Sequence, residues 1–191
     1  MQDIYLVRHG ETEWNAAGRF QGSLDSALTR RGMAQAEAMG RRLADVAAGA
    51  DSFVASPLGR TRQTATIIQD CGSFRATEFD ARLAEVSTGS WDGLTHEDID
   101  AEWPGALDGS TAFDWFFRAP DGESYEAAFS RVEDWLGDVQ GTVIAVSHGL
   151  IGRIVRAVYL GLAREEALCL PVPQDVIWHL RDGEIRQIGL A

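Results

Sequence analysis

Two short hydrophobic runs, far apart in the chain, end in the same way. Ile4–Val7 is followed closely by His9, Thr142–Val146 is followed closely by His148, and each histidine precedes a glycine. Short apolar runs that end at glycine are typical of buried strands. If the two strands are parallel neighbours, the histidines face each other at the carboxyl edge of the sheet, where open α/β sheets bind their ligands.

Elsewhere, hydrophobic positions alternate between short apolar runs and helical spacing. The predicted elements, in order, are a helix over 30–48, a strand at 52–55, a helix over 57–69 with Ser56 as its N-cap, a weak strand within 74–79, a short helix started by a capping box of Thr95 and Asp98, a helix from about residue 124, a helix over 150–159, and a hairpin of strands 176–180 and 184–188. This alternation predicts an α/β fold, a three-layer α/β/α sandwich with a mostly parallel central sheet.

The same spacing predicts which side chains are buried. The helix over 30–48 is expected to bury a stripe that begins at Met33 and recurs at helical spacing as far as Ala47. The two cysteines, Cys71 and Cys169, lie in no metal-ligand spacing and are expected to be buried thiols of a reducing cytoplasm.

The length of 191 residues predicts one domain over 1–191, with a short insertion at about 95–122. Within the insertion, segment 106–122 is predicted to fold over the active site, because an aromatic cluster left in water promotes aggregation. A satellite hydrophobic cluster without a substrate role is an equally good interpretation, and movement of the segment as a lid is left open. Its aromatic residues are Phe113, Trp115, Phe116 and Phe117.

The overall charge limits the classes of binding partner. The chain has 17 Lys and Arg against 29 Asp and Glu, a formal net charge of −12, which disfavours nucleic acid. No apolar run is long enough to span a membrane, and no basic and apolar leader is present, so a cytoplasmic protein without a membrane partner is expected. Five arginines nonetheless fall near the predicted site and favour a small anion: Arg8, Arg19, Arg30, Arg31 and Arg60.

Two arginines and two histidines around one point suit a phosphoryl group. The guanidinium forks of Arg8 and Arg60 match phosphate oxygens, and His148 adds a further donor. A neutral imidazole at His9 can attack phosphorus and form a phosphohistidine. The leaving oxygen still needs a proton, which requires some carboxyl group near the site.

Several motifs together resemble the signature of the histidine phosphatase superfamily, also called phosphoglycerate mutase-like proteins. They lie within about the first 159 residues, in the order Leu6–Asn15, Phe20–Gly22, Leu28–Thr29, Ser56–Arg60, Leu83–Glu85, Gly122–Ser124 and Ser147–Gly149.

The resemblance implies a role for each residue that matches. His9 is the implied nucleophile, Glu85 the proton donor and acceptor, and Arg8, Arg60 and His148 the phosphate pocket. It also implies a three-layer sandwich and no metal or other cofactor. The implied binding contacts are Thr12, Asn15, Gln21, Gly22 and Gly149.

Within the superfamily, the insertion favours hydrolysis over phosphoryl transfer. Segment 95–122 is short, acidic and aromatic with Arg118 as its only cation, whereas the mutase branch carries a longer basic insertion. We therefore expect a metal-independent phosphomonoesterase of small phosphorylated metabolites, a monomer or homodimer whose partner is a small phosphate ester. The alternatives are a cofactor-dependent phosphoglycerate mutase and a non-catalytic module that binds phosphorylated ligands.

Overall fold

The computed structural model describes residues 2–111 and 114–190, and within these ranges six strands form a single sheet in the order β3-β2-β4-β1-β5-β6. The first four strands in this order run parallel to one another. Strand β5 pairs antiparallel with β1, and β6 pairs antiparallel with β5. Their bounds are β1 Gln2–Arg8, β2 Ser52–Ala55, β3 Thr77–Phe79, β4 Gly141–Ser147, β5 Val176–Arg181 and β6 Glu184–Gly189.

Helices cover both faces of the sheet, which confirms the predicted α/β class. Three short 3₁₀ turns, Ala81–Leu83, Gly89–Trp91 and Asp114–Phe117, also occur in the described residues. The helices are α1 Glu13–Ala16, α2 Arg30–Val46, α3 Gly59–Gln69, α4 His96–Glu102, α5 Tyr125–Asp138, α6 Gly149–Leu160 and α7 Arg164–Leu168.

Strand β1 divides its side chains between two hydrophobic cores. Ile4 and Leu6 belong to the core that β1 forms with α5 and α6, whereas Tyr5 and Val7 pack with residues of α2 and α3 on the opposite face. Successive side chains of a strand point to opposite faces, so an uninterrupted apolar run is the pattern that a strand covered on both sides requires.

The pairing of β1 with β4 places the two histidines side by side. Arg8 is opposite Ser147 in the parallel register, so His9 and His148 are the first residues past the paired strands. The His9 amide still donates to the Ser147 carbonyl oxygen at 2.9 Å. The predicted meeting of the two His-Gly pairs at the carboxyl edge is confirmed.

The predicted start of α3 is wrong. The helix begins at Gly59 with Leu58 at the N-cap, not at Pro57 with Ser56 as the cap. The Ser56 amide donates to the Val146 carbonyl oxygen at 2.9 Å, so the contact between the two strand ends continues one residue past β2 and delays the helix. The Ser56 hydroxyl is thereby left for another partner, described below.

Three smaller predictions also need correction. Met33 is 37% exposed, because the buried face of α2 is centred on Ala36, Met39 and Leu43. The predicted helix over 30–48 ends two residues earlier, at Val46, and the weak strand within 74–79 is limited to β3.

The cysteine prediction is wrong as well. Cys169 is exposed, since it follows directly after the short helix α7, and Cys71 is only partly buried. No helix in the described part of the chain has the length and apolar character that crossing a membrane requires.

Candidate active site

A cavity of about 250 Å³ opens beside the ends of β1 and β4. Arg8, His9, Arg60, Glu85 and Gly149, which the sequence places in the site, all line it. His148 lies immediately behind, where it lines a small adjoining cavity together with Arg8 and Gly149. Five predicted catalytic residues from four distant parts of the chain therefore meet at one edge of the sheet.

The two imidazoles are buried and close together. The ring centroids of His9 and His148 are 5.2 Å apart with 61° between the ring planes, and each residue is 2% exposed. Burial holds the pKa of His9 well below its usual value of 6.5, and the nearby charges of Arg8 and Arg60 lower it further. His9 is consequently a neutral imidazole at neutral pH.

One hydrogen bond settles which nitrogen of His9 carries its proton. Nδ1 lies 2.8 Å from the Gly10 carbonyl oxygen, which can only accept, so Nδ1 carries the hydrogen. In the neutral ring, the lone pair is then on Nε2. A neutral imidazole with a free Nε2 lone pair is the form in which histidine acts as a nucleophile.

His148 is held between two partners. Its Nδ1 accepts from Arg60 Nε at 3.1 Å, and its Nε2 lies 2.7 Å from the Ser56 hydroxyl oxygen. Burial lowers the pKa of His148, and the positive charge of Arg60 lowers it further, so this ring is also neutral. Because the Arg60 Nε can only donate, the ring carries its proton on Nε2, which donates to Ser56.

Arg60 reaches the site from the first turn of α3 and is 1% exposed. Its Nη1 donates to Leu24 O at 2.6 Å and to Asp25 Oδ1 at 2.8 Å, and its Nη2 donates to Gly22 O at 2.8 Å. Asp25 also accepts from the Gly59 amide, so it supports the start of the helix that carries Arg60. Burial lowers the pKa of Arg60, and Glu85 and Asp25 oppose that shift.

Arg8 leaves one buried donor for a ligand. Its Nη1 donates to the Val172 carbonyl oxygen at 2.6 Å, but its Nε is buried without a hydrogen-bond partner among the described residues. Burial lowers the pKa of Arg8 to about 10, so the group remains cationic at neutral pH. A Cβ at position 149 would lie 3.3 Å from Arg8 Cζ, so Gly149 allows the guanidinium to lie against the start of α6.

Glu85 is held at the amino end of α6. Its Oε1 accepts from the Ile151 amide at 2.9 Å and its Oε2 from the Leu150 amide at 3.1 Å. The first amides of a helix carry a partial positive charge, so they hold a carboxylate in place. The carboxyl group therefore has a fixed position on the cavity wall.

The predicted binding contacts divide into two groups. Asn15, Gln21, Gly22 and Gly149 line the cavity. Thr12 does not: it is fully buried, and its hydroxyl accepts from the Asn15 amide at 3.1 Å as the N-cap of α1. The geometry gives Thr12 a role in positioning Asn15.

Not every predicted cation belongs to the site. Arg19 lines the cavity, but Arg30 and Arg31 are exposed and do not line it, and Arg31 pairs with Glu11 at 3.4 Å. They fall on the outer side of the first turn of α2, which sequence proximity alone does not reveal.

Three residues at the site were not among the predicted site residues. Ser56 was predicted to be a helix cap, but it contacts His148. Gln174 donates to His9 O and to Asn15 Oδ1, both at 3.2 Å, across the site from the segment before β5. Arg153 lines the cavity one helical turn after Gly149, and this spacing of four residues was a signal that could have identified it.

The aromatic insertion combines features of both interpretations. Trp115 and Ala119 form a satellite core with Trp91 and Ile99, whereas the adjacent Phe116 lines the cavity. The prediction for Phe113 lies outside the described residues.

Comparisons with known proteins agree with this geometry. The description "Histidine phosphatase superfamily (branch 1)" matches residues 4–181. The "Probable phosphoglycerate mutase GpmB" of Erwinia tasmaniensis is 39% identical over 171 residues, covering 85% of this chain and 76% of that protein.

Two solved structures share the fold at lower identity. Bacillus stearothermophilus YhfR is 27% identical with a TM-score of 0.83, covering 99% of this chain and 96% of that one. The alpha-ribazole phosphatase from Shigella flexneri is 26% identical with a TM-score of 0.80, covering 98% of this chain and 95% of that one.

Proposed function

Because the chain belongs to the histidine phosphatase superfamily (branch 1), we propose that it hydrolyses phosphate monoesters of small metabolites through a phosphohistidine on His9. The relatives compared above are named as a probable mutase and a phosphatase. The observation that carries the proposal is the neutral His9, with its Nε2 lone pair free, beside two buried guanidinium groups. Metal ions have no part in the proposed reaction.

In the first step, the ester phosphate binds beside His9. Arg8 supplies its unpaired Nε, and Arg60 supplies positive charge next to the attacked phosphorus. His9 Nε2 forms a bond to phosphorus while the bond from phosphorus to the leaving oxygen breaks. Glu85, in its protonated form, gives its proton to that oxygen, so the product leaves as a neutral alcohol.

In the second step, water replaces the alcohol. Glu85, now a carboxylate, takes a proton from the water as its oxygen attacks the phosphorus of the phosphohistidine. The bond to Nε2 breaks, inorganic phosphate is released, and both residues return to their starting forms. The amides of Leu150 and Ile151 hold the carboxylate, which suits it to act as the base of this step.

Two features of the insertion support hydrolysis. Arg118, the cation that the sequence offers there, donates to the carbonyl oxygens of Asp108 and Gly109 and pairs with Asp114. The insertion places the ring of Phe116 at the cavity. Its arginine, Arg118, forms hydrogen bonds and an ion pair within the insertion.

A second candidate, a phosphoglycerate mutase, is favoured by the name of the Erwinia tasmaniensis relative. One sample decides between them, through the rates of phosphate release and of isomerisation of 3-phosphoglycerate with a bisphosphate primer. Hydrolysis predicts that release of phosphate from an alkyl phosphate exceeds isomerisation and persists in excess chelator, and that His9→Ala abolishes it. Faster isomerisation would favour the mutase, and loss of activity with chelator would contradict the metal-independent mechanism.

A further inference from the structure

The lining of the cavity has two chemically different parts. One part is the phosphate pocket of Arg8, His9 and Arg60. The other part is apolar, and its side chains come from five separate segments of the chain: Phe20, Val86, Phe116, Leu150 and Val172. A leaving group attached to the bound phosphate shares the cavity with these apolar side chains.

The two aromatic rings of the apolar part pack on a buried tryptophan. The rings of Phe20 and Phe116 lie 6.0 Å apart at 75°, and both pack on Trp115, at 4.2 Å and 3.8 Å between ring centroids. Trp115 is 3% exposed and belongs to the satellite core around Trp91, which is 1% exposed. Phe20 and Phe116 are therefore held in place by a packed layer behind them.

The charged side chains that line the cavity near these apolar residues are of both signs, and the arginines are engaged by other parts of the chain. Glu85 lies on the same cavity wall as its neighbour Val86. Arg19 is exposed and donates to the Gly93 carbonyl oxygen at 2.7 Å, with Asp98 at 3.4 Å, and Arg153 Nε donates to Leu170 O at 2.6 Å. A carboxylate here would lose hydration against aromatic faces, which is unfavourable.

From this arrangement we propose that the preferred substrates are phosphate monoesters whose leaving group carries a flat apolar ring, packed against the edge-to-face pair of Phe20 and Phe116. The inference rests on the proposed phosphatase activity and adds the class of its substrate. A cavity of about 250 Å³ suits a small ring system, since the pockets that hold drug-sized ligands measure roughly 300–1,000 Å³. Ring-to-ring packing stabilises such a leaving group, whereas a short alkyl group gains little there.

Three esters of primary alcohols test the proposal, because the alcohols differ little in leaving ability. They are 2-phenylethyl phosphate, ethyl phosphate and the phosphate ester of 3-hydroxypropanoate. We expect kcat/KM to be at least about tenfold higher for the phenylethyl ester than for either of the others. A preference for the carboxylated ester, or equal values for the phenyl and ethyl esters, would overturn the proposal.

Two variants in the same 3₁₀ turn locate the effect. Phe116→Ala should lower kcat/KM for the phenylethyl ester about tenfold, mainly through KM, and should leave that for ethyl phosphate almost unchanged. Phe117→Ala is the matched control, because Phe117 packs on Tyr125 and does not line the cavity. Phe20→Leu repeats the test at the neighbouring ring of the pair if Phe116→Ala is poorly folded.

The outcomes separate the two proposals. Hydrolysis of ethyl phosphate by the unaltered protein without a preference for the ring overturns the ring subsite and leaves the phosphatase proposal intact. Equal losses on all three esters in Phe116→Ala, with an unchanged fold, also contradict a ring subsite. An absence of turnover on every ester contradicts the proposed phosphatase activity itself.

Discussion

His9 and His148 connect the chemistry of the site to the stability of the protein. Burial lowers the pKa of both below 6.5, so the folded state binds fewer protons than the unfolded state at acidic pH. Above about pH 6.5 both histidines are neutral in the folded and in the unfolded state, so they add no pH dependence to the free energy of unfolding. Below it, the free energy of unfolding falls as the pH falls, until the folded-state pKa values are reached.

The size of this effect is measurable. Each histidine should contribute roughly 1.4 kcal/mol per pH unit to the loss of stability below pH 6.5. Urea unfolding of the unaltered protein and of His148→Gln, followed from pH 7 to 5, tests it, because carboxylate contributions are common to both proteins. The variant should lose stability less steeply, and identical slopes would show that His148 titrates normally in the folded state.

The structure gives Ser56 a different role from the helix cap that the sequence predicts. Its side chain is fully buried, and it satisfies the ring nitrogen of His148 that faces away from Arg60. We predict that Ser56→Ala lowers kcat at least about tenfold by misplacing the ring, and lowers the free energy of unfolding by about 1–3 kcal/mol.

A matched control separates this role from general damage to the fold. Ser52 lies at the start of β2, the strand that Ser56 follows, and lines a surface cavity remote from the site. Ser52→Ala should therefore keep full activity. Ser56→Thr retains the hydroxyl and should recover part of kcat. Equal activity of Ser56→Ala and Ser56→Thr in folded protein would refute the positioning role.

Serine followed by proline is a good helix-start signal, and this is why the sequence predicts a cap at Ser56. The continued contact with Val146 overrides that local preference, and only knowledge of the strand pairing could have revealed it. His9, Arg8, Arg60 and His148 were accessible from sequence because each follows a strand or opens a helix at the same sheet edge.

Among the elements, α2 packs very closely against the segment after β1. A Cβ at Gly32 would overlap the Glu11 carbonyl oxygen, so only glycine allows the first turn of α2 to pack there. We predict that Gly32→Ala lowers the free energy of unfolding by about 2 kcal/mol or more and lowers kcat by displacing His9.

Gly49→Ala is the corresponding control, because a Cβ at that position would meet no atom within 4 Å. It should change the free energy of unfolding by less than about 0.5 kcal/mol. Denaturant unfolding and steady-state rates on both variants give the comparison. A Gly32→Ala variant as stable and active as Gly49→Ala would show that the backbone can shift at little expense.

The hydrogen bonds that hold the segment before β5 could not be predicted. Its backbone is held by arginines from other parts of the chain: Arg153 donates to Leu170 O, Arg156 to Pro171 O and Arg8 to Val172 O. Bonds from a side chain to a distant carbonyl group have no spacing signal in the sequence. Buried strands covered on both faces, by contrast, were predicted to within a residue or two because their whole run is apolar.

At the scale of the whole molecule, an acidic protein encloses a cationic site. The net charge is −12, yet Arg8 and Arg60 are buried within the proposed phosphate pocket. The layered architecture could be predicted from the alternation of strands and helices, but the strand order could not, because several orders bring the same two histidines together. The edge position of β3 likewise follows from packing that its short segment does not encode.

The most direct measurement of the whole account is the trapping of the phosphorylated enzyme. The protein is mixed with an alkyl phosphate for milliseconds, quenched in base and detergent, digested with trypsin at alkaline pH, and examined by tandem mass spectrometry. We predict a base-stable, acid-labile phosphoryl group on His9 in the peptide spanning residues 9–19, absent from His9→Ala. A phosphoryl group on another residue, or undiminished turnover by His9→Ala, would contradict the account.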